Sequence, residues 1–500
     1  MNRSKLIAAW LAVLALSGCA GMNYDSKIAQ VTNGMRSGQL NESIATLESN
    51  NTGDDKGLLY YMEKGELLRL KGAFDDSRDT WLKADGKVRE WEDMVKTDPS
   101  KLLGDLGSVT VNDTTRRYDG RDYEKVLLSI ELALDHLSLG NWDNARVEVT
   151  KMHERQSIIA DFRSKELDQA KADSESKGVK VTSFKELNGY PIETLEAPEV
   201  QALKNSYESA FGNYLAGFVY EANGDNSLAA AGYRKAAEMQ PNVKMLDDSL
   251  AGLDKRMHQV RIPSKKSKSG PPAVDTLLVV ETGEAPAIQS QSIGLFLPIP
   301  CKNGVCPELV QISWPVIRGG QLAAPGSISV DGNDTPLAMM TSVDAMSRRA
   351  LYDEMPAIIA RSAIRAIAKT AAQKLVDDNA DRLSNACAFC GLVASIGAKV
   401  AVAVSEVADE RAWRTLPAAY SIARLALPEG QHKIALQLGD VSKQVDVAVS
   451  GKYSLVALRV VGSQVYVAQP GAYPQAASSP AAASVQASSA AMPAIPAGKL

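Results

Sequence analysis

The chain has 500 residues, enough for about three ordinary domains, with 45% hydrophobic and 23% charged residues and a net charge of −4. That composition can bury proper cores, and it excludes wholesale disorder, a collagen-like fibre and a polytopic membrane protein. A mildly acidic chain also lacks the basic surface that nucleic-acid binding needs, and four histidines leave little for histidine-based metal or general-base chemistry.

The amino-terminus predicts a compartment. Arg3 and Lys5 precede an apolar run from Leu6 to Leu16, too short to span a bilayer, which ends in Leu16-Ser17-Gly18-Cys19. The order of basic region, apolar run and small residue before cysteine resembles a bacterial lipoprotein signal. Residues 1–18 are therefore expected to be a signal peptide and Cys19 the lipidated (palmitate-bearing) residue, the alternative being an uncleaved anchor with a chance cysteine. Several acyl chains, at about 0.8 kcal/mol per buried methylene, anchor stably where one does not. Ala20 in place of Asp after the cysteine predicts the outer membrane, facing the periplasm. Loss of Arg3 and Lys5 takes the net charge from −4 to −6.

Residues 19–262 are expected to form a helical domain. Gly217, Tyr220, Gly224, Ala229, Tyr233, Ala236 and Pro241 hold the spacing of a tetratricopeptide repeat. Small residues let paired helices cross closely, the tyrosines fill the gap, Gly224 turns the chain and Pro241 stops the second helix. The offsets recur at Gly65, Leu68, Gly72, Ser77, Trp81 and Ala84, then more loosely at Ala133, His136, Gly140, Ala145 and Val149, and at Gly34, Gly38, Ser43 and Leu47. An α-solenoid of such units leaves a concave groove, predicted to hold periplasmic or outer-membrane proteins. His136 reads as packing rather than a ligand. In a loop over 97–123, Arg116, Arg117, Tyr118 and Arg121 form a donor-rich cluster suited to carboxylate or phosphate groups. The bland alternative is a solvated loop with Asp122 capping the next helix. A second irregular insertion is expected over 165–200.

Residues 263–273 read as a Pro/Ser/Lys linker, and 274–468 as a β-rich domain, a small antiparallel β-sandwich carrying a helical-hairpin insertion over about 343–410. In Cys301-Lys302-Asn303-Gly304-Val305-Cys306 an Asn-Gly turn would set Cys301 opposite Cys306, close enough for a disulfide. Cys387 and Cys390 form a second pair. Two local disulfides suit an oxidising periplasm better than one four-cysteine zinc site. The insertion's first helix carries Met355, Ile359, Ala363, Ile367, Ala371 and Leu375 on one face, opposed by Arg361, Arg365 and Lys369. That basic stripe either grips an anionic polymer or headgroup or is simply solvated. Residues 469–500, nearly all Ala, Ser, Pro and Gln, predict a disordered tail.

Three stretches, Arg116 to Glu148 with its Arg117-Tyr118-Asp119-Gly120 and Tyr123-Glu124, Met355 to Arg361, and Trp413 to Pro417, resemble an uncharacterised family of proteobacterial outer-membrane lipoproteins over most of residues 19–465. The resemblance transfers no catalytic residue. It implies a role in cell-envelope or peptidoglycan biogenesis, since relatives tend to be encoded beside lipoproteins resembling activators of penicillin-binding proteins. No hydrolase elbow, zincin motif, phosphate loop or nucleotide fingerprint occurs. The expected function is a non-enzymatic adaptor without cofactor or metal, binding envelope proteins through the repeat groove. The alternative is a glycan-binding module for peptidoglycan or lipopolysaccharide.

Overall fold

The computed structural model describes residues 24–102, 117–176, 189–258, 273–301, 304–318, 324–384, 408–439 and 441–468. Cys19, Arg116, nearly all of the linker, Cys387, Cys390 and the tail lie outside them.

Gly38, Gly72, Gly140 and Gly224 take φ between 74° and 85°, a conformation that is cheap only without a Cβ. Each turns one helix back on another. The pairs are α1 (Tyr24–Ser37) with α2 (Leu40–Ser49), α3 (Leu58–Leu70) with α4 (Phe74–Thr97), and α5 (Asp122–Ser138) with α6 (Trp142–Ser176). After the single turn α7 (Pro198–Gln201) come α8 (Ala210–Ala222) with α9 (Asn226–Met239), and then α10 (Lys244–His258). Small residues let the pairs cross closely: a Cβ on Gly65 would lie 2.2 Å from Trp81 Nε1, and one on Gly217 2.6 Å from the Tyr233 ring. The irregular insertion expected over 165–200 starts later than predicted. With no Gly or Pro to break it, α6 runs unbroken to Ser176.

The second half forms three sheets among the described residues. A five-stranded sheet has the order β11-β10-β1-β7-β6, built from β1 (Ala273–Thr282), β6 (Ala338–Ser342), β7 (Ala419–Pro428), β10 (Tyr453–Val461) and β11 (Gln464–Ala468). A four-stranded sheet, β5-β4-β8-β9, joins β4 (Ser327–Val330), β5 (Asn333–Pro336), β8 (Gly430–Leu438) and β9 (Val441–Val449). The third is a hairpin of β2 (Ile288–Cys301) and β3 (Gly304–Ile317). The first sheet is mixed rather than antiparallel, because β1 and β10 run parallel. Every residue of β10 is buried, as befits a strand covered on both faces. One face meets the four-stranded sheet through Val274, Leu278, Ile434, Val447, Val456 and Leu458. The other packs on the helices in one continuous core that holds Trp81, Leu127, Phe211, Leu277, Tyr420 and Leu455.

One local expectation is corrected. The β2–β3 hairpin exists, but its register sets Cys301 opposite Gly304 and Cys306 opposite Ile299. The cysteines are therefore not a directly opposed pair. A ladder of fourteen residue pairs, with Ile293 on Ile312 near its middle, fixes this register and outweighs the local preference of Asn-Gly for the turn. Where the first limb of a helical hairpin is expected, α11 (Val343–Ser384) is one helix of 42 residues with Pro356 inside it; the predicted second limb lies outside the described residues.

Candidate functional site

The first helices of the hairpins, which would line a repeat groove, are covered by the chain's own sheet. All of α5 and nearly all of α8 are buried, the condition of helices enclosed on every side. Their polar groups are used up against the β half. Glu63 accepts from the amides of Arg414 and Thr415 at 2.8 and 2.9 Å, and Glu124 from that of Trp413 at 2.7 Å. Arg69 forks onto Glu281 at 2.7 and 2.6 Å, and Tyr420 donates to Glu131. Phe211 stacks on Tyr420 with ring centroids 4.7 Å apart. The groove predicted to receive a partner is thus filled from within, which sequence spacing alone does not reveal.

What stays open is a cleft of about 170 Å³ where α5, α6, α11, β3 and the strap 408–411 meet. Arg117, Tyr118 and Arg121 meet Arg361 here, residues of the two donor clusters singled out in the sequence and more than 230 positions apart. Arg117, exposed at the rim, bonds Asp119 at 2.8 Å and Glu90 at 3.1 Å. Tyr118 donates to Glu124 at 2.5 Å. Arg121 reaches Glu354 of α11 at 3.2 Å and the Asp409 carbonyl at 3.1 Å. From the far side Arg361 pairs with Glu166 at 3.2 Å, while Arg163 bridges to Glu354 at 2.8 Å. Arg411 lies over the Tyr118 ring, 5.2 Å from its centroid.

Two of the three residues of the predicted basic stripe are not solvated. Arg361 is an inward ion-pair partner, and Arg365, 8% exposed, bonds Ser362 at 3.3 Å. The side chain of Lys369 lies outside the described residues. Nor does Asp122 cap its helix: Glu124 accepts from the Arg121 amide at 2.9 Å, which leaves Asp122 to pair with Arg163 and Lys125. His136 is a packed residue, 5% exposed, whose pKa burial lowers to about 4.

Arg117, Arg121, Lys125, Arg163, Arg361 and Arg411 line the cleft against Asp119, Glu166, Glu354 and Asp409, an excess of two cations. Burial pushes the Glu124 carboxyl up and the Lys125 ammonium down from their ordinary values. The Nε groups of Arg121 and Arg361 are buried and have no hydrogen-bond acceptor among the described residues, a state that normally costs about 1–3 kcal/mol. The cleft can therefore accept an anionic group. Glu354, Glu166, Asp409 and Arg411 were missed in the sequence. Helical spacing carried a signal for the first of these, since Glu354, Ile358, Arg361 and Arg365 fall on one face of α11. Two of the stretches quoted for the family resemblance supply lining residues, Arg117 to Gly120 and Ile358 with Arg361, and the third touches the first where the Trp413 amide donates to Glu124. Among the described residues no group of His, Cys, Asp and Glu is placed to hold a metal ion, and no helix is long and apolar enough to cross a membrane.

No family model and no curated protein matches the chain. Among solved structures, a tetratricopeptide repeat protein from Parabacteroides merdae is distantly similar, at 12% identity with a TM-score of 0.13, covering 47% of this chain and 100% of that one.

Proposed function

We propose that this chain is a non-enzymatic scaffold, tethered by lipid at Cys19 to the periplasmic face of the outer membrane, that binds an acidic group of an envelope protein in the cleft between α5, α6 and α11. The observation that carries the binding site is the convergence of Arg117, Arg121 and Arg361 on one opening, while the repeat face is filled by the chain's own sheet. Tethering rests on the amino-terminal sequence, and a role in envelope or peptidoglycan biogenesis rests on the family resemblance. The two disulfides stay part of the proposal, although the opposed geometry first expected for Cys301 and Cys306 is not the one found. Capture from envelope extracts by the mature protein tests the site: Arg117→Ala with Arg361→Ala should cut capture of a specific partner by about tenfold, the equivalent of roughly 1.4 kcal/mol. Undiminished capture by the double variant overturns it. Cys19→Ala should stop the protein floating with outer membranes.

The cleft's small size favours one second reading, in which it receives a single carboxylate or phosphate group of peptidoglycan or lipopolysaccharide. Sedimentation with purified sacculi separates the two, since only the glycan reading predicts salt-sensitive pelleting without a protein partner.

A further inference from the structure

Strand β7 is paired with β1 along its whole length, from Ala419 to Pro428, but β6 covers its other edge only from Ala419 to Ile422. Among the described residues no strand lies beside Ala423–Leu427 on that side. Just before β6 the chain belongs to the other sheet: Ser327–Val330 pairs with Asn333–Pro336, and the Leu337 amide donates to Gly326 at 2.9 Å. The gap holds a cavity of about 430 Å³ between this edge and the start of α10. Its walls are apolar, with Val243 and Met245 on the helical side and Leu337 and Leu425 on the side of the second sheet. Lys244 and Asp248 at the rim pair with each other and remain largely exposed. Arg424 is committed to Asp275, Glu221 and the Tyr233 hydroxyl.

We infer that this groove takes an extended, apolar peptide segment of a partner protein, added as a strand alongside β7. The inference rests on the scaffold reading above but uses a different surface. An open strand edge presents amides and carbonyls in one plane, and an extended backbone satisfies them in series. The side chains of such a strand point alternately to the two faces of the sheet. Here one face opens onto Val243 and Met245 and the other onto Leu337 and Leu425, so an alternating segment fills both sides at once. Five edge residues correspond to about 17 Å of strand, and the mutual pairing of Lys244 with Asp248 leaves no preference for a charged occupant.

The test uses a random dodecapeptide library displayed on phage, panned against the full mature protein. Enriched sequences should carry apolar residues at alternate positions without internal proline. As synthetic peptides they should lose about tenfold or more in affinity to Leu425→Glu or Met245→Glu protein and none to Arg361→Ala. N-methylation of alternate peptide amides should abolish binding, a readout that needs no protein variant. Failure to enrich, or binding indifferent to N-methylation, overturns the inference. So does slow exchange, in the free protein, of those amides of Ala423–Leu427 that point away from β1, which would mean that the chain's own segment already occupies the edge. Loss of partner capture in the Arg117/Arg361 variant with no peptide enrichment keeps the scaffold and removes only this groove.

Discussion

Asp135 and His136, adjacent on α5, are both buried and their pKa values move in opposite directions. Burial raises the Asp135 carboxyl to about 7 and lowers the His136 imidazole to about 4. The folded chain therefore holds a proton on Asp135 that the unfolded chain releases. The stability this contributes is full below about pH 4 and is lost as pH rises to about 7, a swing of roughly 4 kcal/mol at most. His136 works the other way, its contribution present above about pH 6.5 and lost as pH falls to about 4. Asp135→Asn removes the first effect and leaves the second. Urea unfolding should then show the variant gaining on the wild type between pH 4 and 7 and exceeding it at pH 8. A constant difference across that range contradicts a protonated Asp135 at acid pH. At this scale the sequence was partly legible. Arg117, Tyr118, Arg121 and Arg361 stood out by residue type, but which carboxylates answer them depends on where α11 lies, and that is a matter of long-range packing.

The helix pairs were the most legible elements, because a positive-φ glycine at the turn and a glycine facing an aromatic ring at the crossing are local requirements. Gly217 meets Tyr233 so closely that Gly217→Ala must push the ring aside, at a cost of about 1–3 kcal/mol. Thermal unfolding should show a drop of several degrees for this variant. A similar change at Gly53, where nothing lies within 4 Å, should leave the midpoint nearly unmoved. Of the eleven strands among the described residues, all but the short β5 and β6 carry apolar runs that mark them in the sequence. In β5, Asn333–Pro336 offers three polar residues and a proline in four, and only the Asp331-Gly332 turn before it, with positive φ at both residues, betrays a hairpin. The register of β2 on β3 was misread for the opposite reason: a strong local turn signal lost to fourteen cross-strand pairs.

The whole molecule departs furthest from the sequence reading. Amphipathic helices and apolar strands were legible as two halves joined by a linker, yet nothing local says that the helices pack on the sheet rather than around a guest. The core from Trp81 through Phe211 to Tyr420 and Leu455 is shared between the halves, and Arg69, Glu66, Glu131, Glu281 and Arg459 form a buried charge cluster across the junction. Residues 24–258 expressed alone would expose that apolar face and deprive Arg69 of Glu281, Glu131 of Tyr420 and Glu66 of Arg459. This fragment should lack a cooperative thermal transition, while the full mature protein unfolds in one step. A fragment that melts cooperatively as a monomer contradicts the shared core.

The proposed binding at the cationic cleft is tested most directly by site-specific photocrosslinking in cells. The crosslinking residue p-benzoylphenylalanine is placed at position 90 on α4, where Glu90 borders Arg117 at the cleft rim, or at position 228 on α9, where Leu228 is 47% exposed. A discrete adduct at 90 that Arg117→Ala with Arg361→Ala strongly weakens, with none at 228, is the expected result. Adducts at 228 but not at 90, or at 90 regardless of Arg117 and Arg361, place the partner elsewhere and overturn the assignment.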